Sequence, residues 1–327
     1  MSNDAQDSAA TVTTVLGPIP AAELGVTAIS EALISVLPGA EYAPDISMDR
    51  SEIFAEAATA LTAFRDAGGS TLVDTTGMFH GRDVKLCEAL SRATGVNIIA
   101  STGMGPEELL GGYFLTPQTN PPTPWPAEKF ADLFAKEITE GMVVPRVERR
   151  GPAGLVVTAA AASGMTPTEE SLFRGAARTG LGTGVPVIAR FGADPVSDLD
   201  HLLDESLPAE RAVIAGLDRA DVDPTSIAAI LDRGAYVLFD HVGTNGNGWL
   251  SDDRRADLVA EHIANGHGQQ ILLSSSATGA ARGVPANDVG YEYVLTDFLP
   301  MLAQRGVSEE AARSLVTVNP HALLTRR

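Results

Sequence analysis

Short apolar runs alternate with amphipathic stretches along most of the chain. Residues 71–75, 97–102, 154–160, 186–191, 212–217, 235–241 and 270–275 are runs rich in Val, Ile, Leu and Ala, of strand length. Between them, residues 82–93, 127–140, 167–183 and 252–264 carry apolar side chains at helical spacing. Continuous apolar strands separated by helices predict a parallel sheet covered on both faces. An eighth strand is expected at 26–31, and eight such strands point to a closed (β/α)8 TIM barrel, with an open doubly wound sheet as the alternative. Helix ends carry ordinary signals. Thr166-Pro167-Thr168-Glu169 offers an N-cap, a first-turn proline and a carboxylate near the positive helix end, and Gly184 follows that helix.

Residues 103–126 form a long Gly- and Pro-rich segment after the third strand, on the side where barrel enzymes keep their sites. Its Tyr113 and Trp125 are expected to give the pocket an apolar wall. A length of 327 residues fits one barrel domain at 11–327 after a short disordered tail at 1–10. A formal net charge of −19 repels phosphate backbones and anionic membranes, so neither is an expected partner. The lone Cys87 excludes an internal disulfide and cysteine-built metal sites, and its apolar neighbours predict a packed thiol. The N-terminus lacks the basic start and apolar stretch of a signal peptide, and no run reaches the length of a membrane helix. A cytoplasmic protein is the expectation. There is no Walker A loop, and no Gly-x-Gly-x-x-Gly between a strand and a helix.

One segment, Thr14-Val15-Leu16-Gly17-Pro18-Ile19 followed by Leu24-Gly25-Val26-Thr27, resembles the N-terminal signature of the phosphotriesterase family. That family belongs to the amidohydrolase superfamily and includes organophosphate hydrolases and lactonases. Gly81-Arg82-Asp83, Ala153-Gly154-Leu155-Val156, Thr183-Gly184-Val185-Pro186-Val187, Phe239-Asp240, Ile271-Leu272-Leu273-Ser274 and Val318-Asn319-Pro320 extend the likeness in order. The resemblance implies a phosphotriesterase-like barrel and, because family members often pair, a homodimer. It also implies two divalent ions that share and activate a bridging water. The family's ligand positions read differently here. The His-x-His of the first strand is Ser30-Glu31-Ala32. The bridging lysine is Val157, the fifth- and sixth-strand histidines are Arg190 and Gly216, and the eighth-strand aspartate is Ser276. No metal and no other cofactor is therefore expected. The six histidines, His80, His201, His241, His262, His267 and His321, include no pair at i, i+2 or i+4.

Arg190, at the end of an apolar strand, must be paired. It bonds Glu31 or Asp240 and plugs the former metal cavity, or anchors a carboxylate or phosphate on a ligand, and the two roles are compatible. His241, after Asp240, is the first candidate for proton transfer, because imidazole exchanges protons near neutral pH. The family's relay acid falls on Arg219. Glu31 is a further candidate acid or base, or else a hydrogen-bond acceptor for neighbouring backbone. Ser30, Ser276 and His80 are candidate substrate contacts. Ser274-Ser275-Ser276 lacks the Gly-x-Ser-x-Gly of a nucleophile elbow. The expected function is metal-independent acid–base chemistry on a small anionic organic molecule, as a lyase, isomerase or cyclase. The alternatives are a non-catalytic relative that binds a ligand or partner, and a hydrolase with a relocated metal site. An open pocket favours the first and a plugged one the second.

Overall fold

The computed structural model describes residues 10–78, 80–110, 123–144, 148–285 and 288–325. Tyr113, and the tail expected at 1–10 except for Ala10, lie outside the described residues. The strands, in chain order, begin with a hairpin of β1 (Thr11–Thr14) and β2 (Gly17–Pro20). Then come β3 (Thr27–Val36), β4 (Thr71–Asp74), β5 (Asn97–Met104), a small hairpin of β6 (Val143–Val144) and β7 (Glu148–Arg149), and β8 (Leu155–Ala159). The last five are β9 (Val187–Arg190), β10 (Ala212–Ala215), β11 (Tyr236–Phe239), β12 (Ile271–Leu273) and β13 (Thr278–Arg282).

Strands β3, β4, β5, β8, β9, β10, β11 and β12 pair in that order, all in parallel. β13 then pairs in parallel with β3, with Thr278 opposite Ala32. β12 and β13 are thus two parts of one final strand, the first bonded to β11 and the second to β3, and the sheet returns to its own first strand. This is the expected (β/α)8 barrel. Helices such as Arg50–Asp66, Val84–Thr94, Ala127–Thr139 and Pro167–Thr183 cover the outside. Thr166 and Glu169 form a reciprocal capping box, and Gly184 is the C-cap, as the sequence indicates.

Side chains along a strand alternate between two faces. On β9, Val187 and Ala189 join the outer core under the helices, while Ile188 joins the inner cluster. On β11, Val237 and Phe239 face outward, and Leu238 packs inside with Val73, Ile99, Leu155 and Leu272. The period continues to the strand ends, which sends Arg190 and Asp240 inward. At the opposite end Val12, Leu24, Leu323 and Leu324 join the inner cluster and shut the barrel floor. Arg211 ties that C-terminal segment down, donating to the carbonyls of Leu323 at 2.7 Å and Thr325 at 2.9 Å. The site therefore lies at the C-terminal ends of the strands.

The structure differs from expectation in three places. β3 runs on to Val36 and shifts register between Ala28 and Glu31, a bulge that re-aims the side chains beyond it. The final strand breaks at 274–277, where Ser276 holds a φ of +46°. The β6–β7 hairpin carries too short an apolar alternation to be read from sequence. No helix among the described residues is long and apolar enough to cross a membrane.

Candidate functional site

A cavity of about 310 Å³ opens at the C-terminal ends of the strands. Its wall includes Ser30, Glu31 and Ala32 from β3, Thr75, Thr76 and His80 after β4, Val157 on β8, Arg190 on β9, and then Asp240 and Ser276. Five of the six positions that hold metal in the resembled family thus face this space, as Ser30, Ala32, Val157, Arg190 and Ser276; Gly216 lies next to the lining residue Ala215.

Arg190 is not plugged into the protein. Its Nη2 donates to Asp240 Oδ2 at 2.7 Å, and its side chain is 45% exposed. Of the two partners considered from sequence, the structure chooses Asp240. Asp240 is buried, and its Oδ1 accepts from His241 Nδ1 at 3.0 Å. Burial alone would raise the Asp240 pKa. The charges of Arg190 and His241 override it and hold the carboxyl well below the ordinary range.

His241 sits behind Asp240 rather than on the cavity wall. Its ring stacks on Trp249 with centroids 3.3 Å apart. Its backbone N–H donates to Asp218 Oδ2 at 2.8 Å. Asp218 also accepts from Arg255 Nε at 2.8 Å, and Arg255 is completely buried. Burial, then the charge of Asp240, raises the Asp218 pKa. A row of bonded ionisable groups runs inward from the cavity: Arg190, Asp240, His241, Asp218, Arg255. Sequence reading missed Asp218, Trp249 and Arg255. For Arg255 a signal existed, since it shares the apolar helical face of Leu258 and Val259.

Glu31 is a clasp. Its Oε1 accepts from Ser275 N at 3.2 Å and lies 2.7 Å from Ser274 Oγ, and its Oε2 accepts from Ala277 N at 2.5 Å. It therefore pins the break in the final strand to the first strand. Ser274 Oγ also bonds the Ser30 carbonyl. A hydroxyl has one proton, and a carbonyl can only accept. Ser274 can satisfy both neighbours if it donates to Ser30 while a protonated Glu31 donates to it. Burial agrees, pushing the Glu31 pKa up to about 8 against the hydrogen bonds that favour the anion.

Ser30 Oγ lies 3.1 Å from Thr75 Oγ1. His80, half-buried on the wall, has its Nε2 3.2 Å from the Gly105 carbonyl. Burial holds its pKa below the usual imidazole value, and the Arg190 charge adds to this. The expected wall role of Trp125 is corrected. Trp125 is absent from the cavity lining and packs on Phe130 at 5.5 Å, with Lys129 3.6 Å over its ring. Two residues of the helix that begins at Ala127, Lys129 and Phe130, thereby capture the indole. The relay position Arg219 lies over the Phe191 ring at 4.2 Å and donates to the Gly192 carbonyl at 2.7 Å, which makes it a loop lock.

The wall does not fit a pair of divalent ions. Alanine, valine and glycine offer no side-chain donor, serine hydroxyls are poor ligands, and the guanidinium of Arg190 repels a cation. Among the described residues, Asp218, Asp240 and His241 bring ligand atoms within 4.8 Å of one another. Both carboxylates there are already bonded by arginines, Asp240 by Arg190 and Asp218 by Arg255. The set reads as a charge-compensated relay.

A model of the phosphotriesterase family matches residues 10–324. The chain is 27% identical over 328 residues to a phosphotriesterase homology protein of Mycobacterium tuberculosis, covering 96% of this chain and 97% of that one. It is 28% identical over 285 residues to an aryldialkylphosphatase of Saccharolobus solfataricus, covering 83% and 86%. Among solved structures it is similar to a mutant phosphotriesterase-like lactonase of Deinococcus radiodurans, with a TM-score of 0.86, 26% identity and coverage of 96% and 100%. With fold, ordered landmarks and a match over nearly its whole length in agreement, this chain belongs to the phosphotriesterase family.

Proposed function

We propose that the protein is a metal-independent member of the family that binds a small organic anion at Arg190 and acts on it by acid–base chemistry. One observation carries this reading. The barrel mouth holds an open cavity of about 310 Å³, and its one cationic side chain among the described lining residues is half-exposed. A guanidinium with free N–H groups suits a carboxylate or phosphate, which it can grip bidentately. The openness weighs against a plugged, non-catalytic barrel. Asp240 orients Arg190 and links it to His241, and Ser30 and Ser276 supply hydroxyls along the wall. Proton transfer falls to the Asp240–His241 pair and the cavity's other ionisable groups. Glu31, with both oxygens engaged, is assigned mainly to holding the wall. Lyase, isomerase or cyclisation steps need acid–base groups and positioning but no activated metal hydroxide. The same reading takes the protein as a cytoplasmic homodimer with no nucleic-acid or membrane partner.

The relatives' names favour a second reading, hydrolysis, with a metal recruited at Asp218, Asp240 and His241. Calorimetric titration of small carboxylates at low salt separates the two. The first reading predicts binding that Arg190→Ala abolishes and that Zn²⁺ leaves unchanged. Binding or turnover that requires Zn²⁺ and survives Arg190→Ala supports the second reading and overturns the first.

A further inference from the structure

Among the described lining residues, three groups are able to exchange a proton, and the structure separates them by what each already holds. Asp240 is held by Arg190 and His241. Glu31 is held by Ser274, Ser275 and Ala277. His80 remains. The oxygen 3.2 Å from its Nε2 belongs to the Gly105 carbonyl, which can only accept. Nε2 therefore carries the proton of the neutral ring. Nδ1 keeps the lone pair and meets no polar partner among the described residues.

We propose that His80 Nδ1 is the general base of the cavity, taking a proton from an anion that Arg190 holds. The inference deepens the reading of Arg190 as an anchor and rests on it. The substrate class follows: a small organic acid whose anionic group sits on Arg190 and which bears an acidic C–H or O–H beyond it. In the step, that C–H or O–H bond breaks and the proton passes to Nδ1. The electron pair stays on the substrate, where the guanidinium stabilises the new negative charge. The imidazolium of His80, still donating through Nε2 to Gly105, returns the proton to another substrate atom. The cycle conserves protons and electrons and needs no co-reactant. It is an isomerisation by proton transfer.

The charged groups facing His80 across the cavity are Arg190 on β9, Asp240 after β11 and Glu31 on β3. On its own side of the barrel, Arg82 is bonded to Glu137 and Asp83 to Arg50. Arg190 is therefore the group whose charge a bound anion would offset. Binding and protonation must then be linked in both directions. An anion on Arg190 makes His80 easier to protonate, and protonated His80 tightens the anion.

The test is long-range ¹H–¹⁵N NMR of the histidine rings of the full chain against pH, with and without acetate, in wild type and Arg190→Ala. His80→Asn assigns the signal. The expected result is a neutral ring protonated at Nε2, a midpoint that acetate moves upward in wild type, and an Arg190→Ala midpoint that starts higher and ignores acetate. A ring protonated at Nδ1, or a midpoint identical in wild type and Arg190→Ala, overturns the assignment of His80. Acetate that leaves every signal in place counts against Arg190 as the anchor instead. The tautomer and the acetate-free comparison still judge His80.

Discussion

Single side chains decide the chemistry at the mouth of this barrel, and Glu31 shows how burial sets a protonation state. Its folded-state pKa of about 8 lies above the roughly 4.3 of an unfolded glutamate. Between these values the folded state binds more protons than the unfolded one, so stability falls as pH rises from about 4.5 to 8 and levels off above. The slope from this group reaches at most about 1.4 kcal/mol per pH unit. Glu31→Gln, which keeps a neutral side chain, is expected to flatten that decline in denaturant midpoints measured at pH 5 to 8. An unchanged slope would mean that Glu31 is ionised throughout. Asp240 has the opposite sign. Its pKa is depressed, so its contribution is present above about pH 4 and is lost below it, and Asp240→Asn is expected to be less sensitive to acid unfolding than wild type. Sequence alone placed Glu31, Arg190 and Asp240 at strand ends. It left the partner of Arg190 open, because the choice between Glu31 and Asp240 depends on the bulge in β3. At that bulge Glu31 is engaged by the backbone N–H groups of Ser275 and Ala277, while Asp240 pairs with the guanidinium.

Elements fix those side chains through close backbone approach and buried pairing. A Cβ on Gly103 would lie 1.9 Å from the Val157 carbonyl oxygen, and the residue has a φ of +103°. Gly103→Ala must push β5 away from β8 while straining its own backbone, an expected loss of at least about 2 kcal/mol by chemical denaturation. Arg82 grips Glu137 with bonds of 2.7 and 2.8 Å, both side chains buried, and donates to the Ser101 carbonyl at 2.8 Å. This pair locks the Ala127–Thr139 helix to β5. Arg82→Met strands Glu137, and a loss of about 3–5 kcal/mol is expected in the same assay. The double variant Arg82→Met, Glu137→Leu should recover part of it, since no unpaired charge remains. The strands, their order and the capping of the Pro167–Thr183 helix were legible because apolar runs and cap residues act locally. The split final strand was not. It depends on Glu31 reaching 246 residues along the chain to the Ala277 amide, a contact no local pattern encodes. Trp125 was misplaced for a related reason: an aromatic in a loop can serve a pocket or the nearest helix, and Phe130 and Lys129 supply the nearer partners.

At the scale of the whole molecule, a family barrel has kept its architecture while the side chains at its mouth differ from the ligand set the family resemblance implies. The inner cluster and closed floor need only apolar residues at alternate positions, which the chain retains. The ligand positions are occupied by two serines, an alanine, a valine, a glycine and an arginine. Restoring a histidine at Gly216 would meet a φ of +88°, although a Cβ there finds nothing nearer than 3.5 Å, so backbone conformation rather than space opposes it. The net charge of −19 lies around a cavity whose lining cation among the described residues is Arg190, so the proposed binding of small anions is expected to depend on that one residue and to weaken at high salt. The central claim, a guanidinium where a cation cage would stand, is tested most directly by elemental analysis of the full chain, purified without chelator and equilibrated with Zn²⁺ before desalting. The result expected is well below one ion per chain. One or two tightly held ions per chain would contradict it.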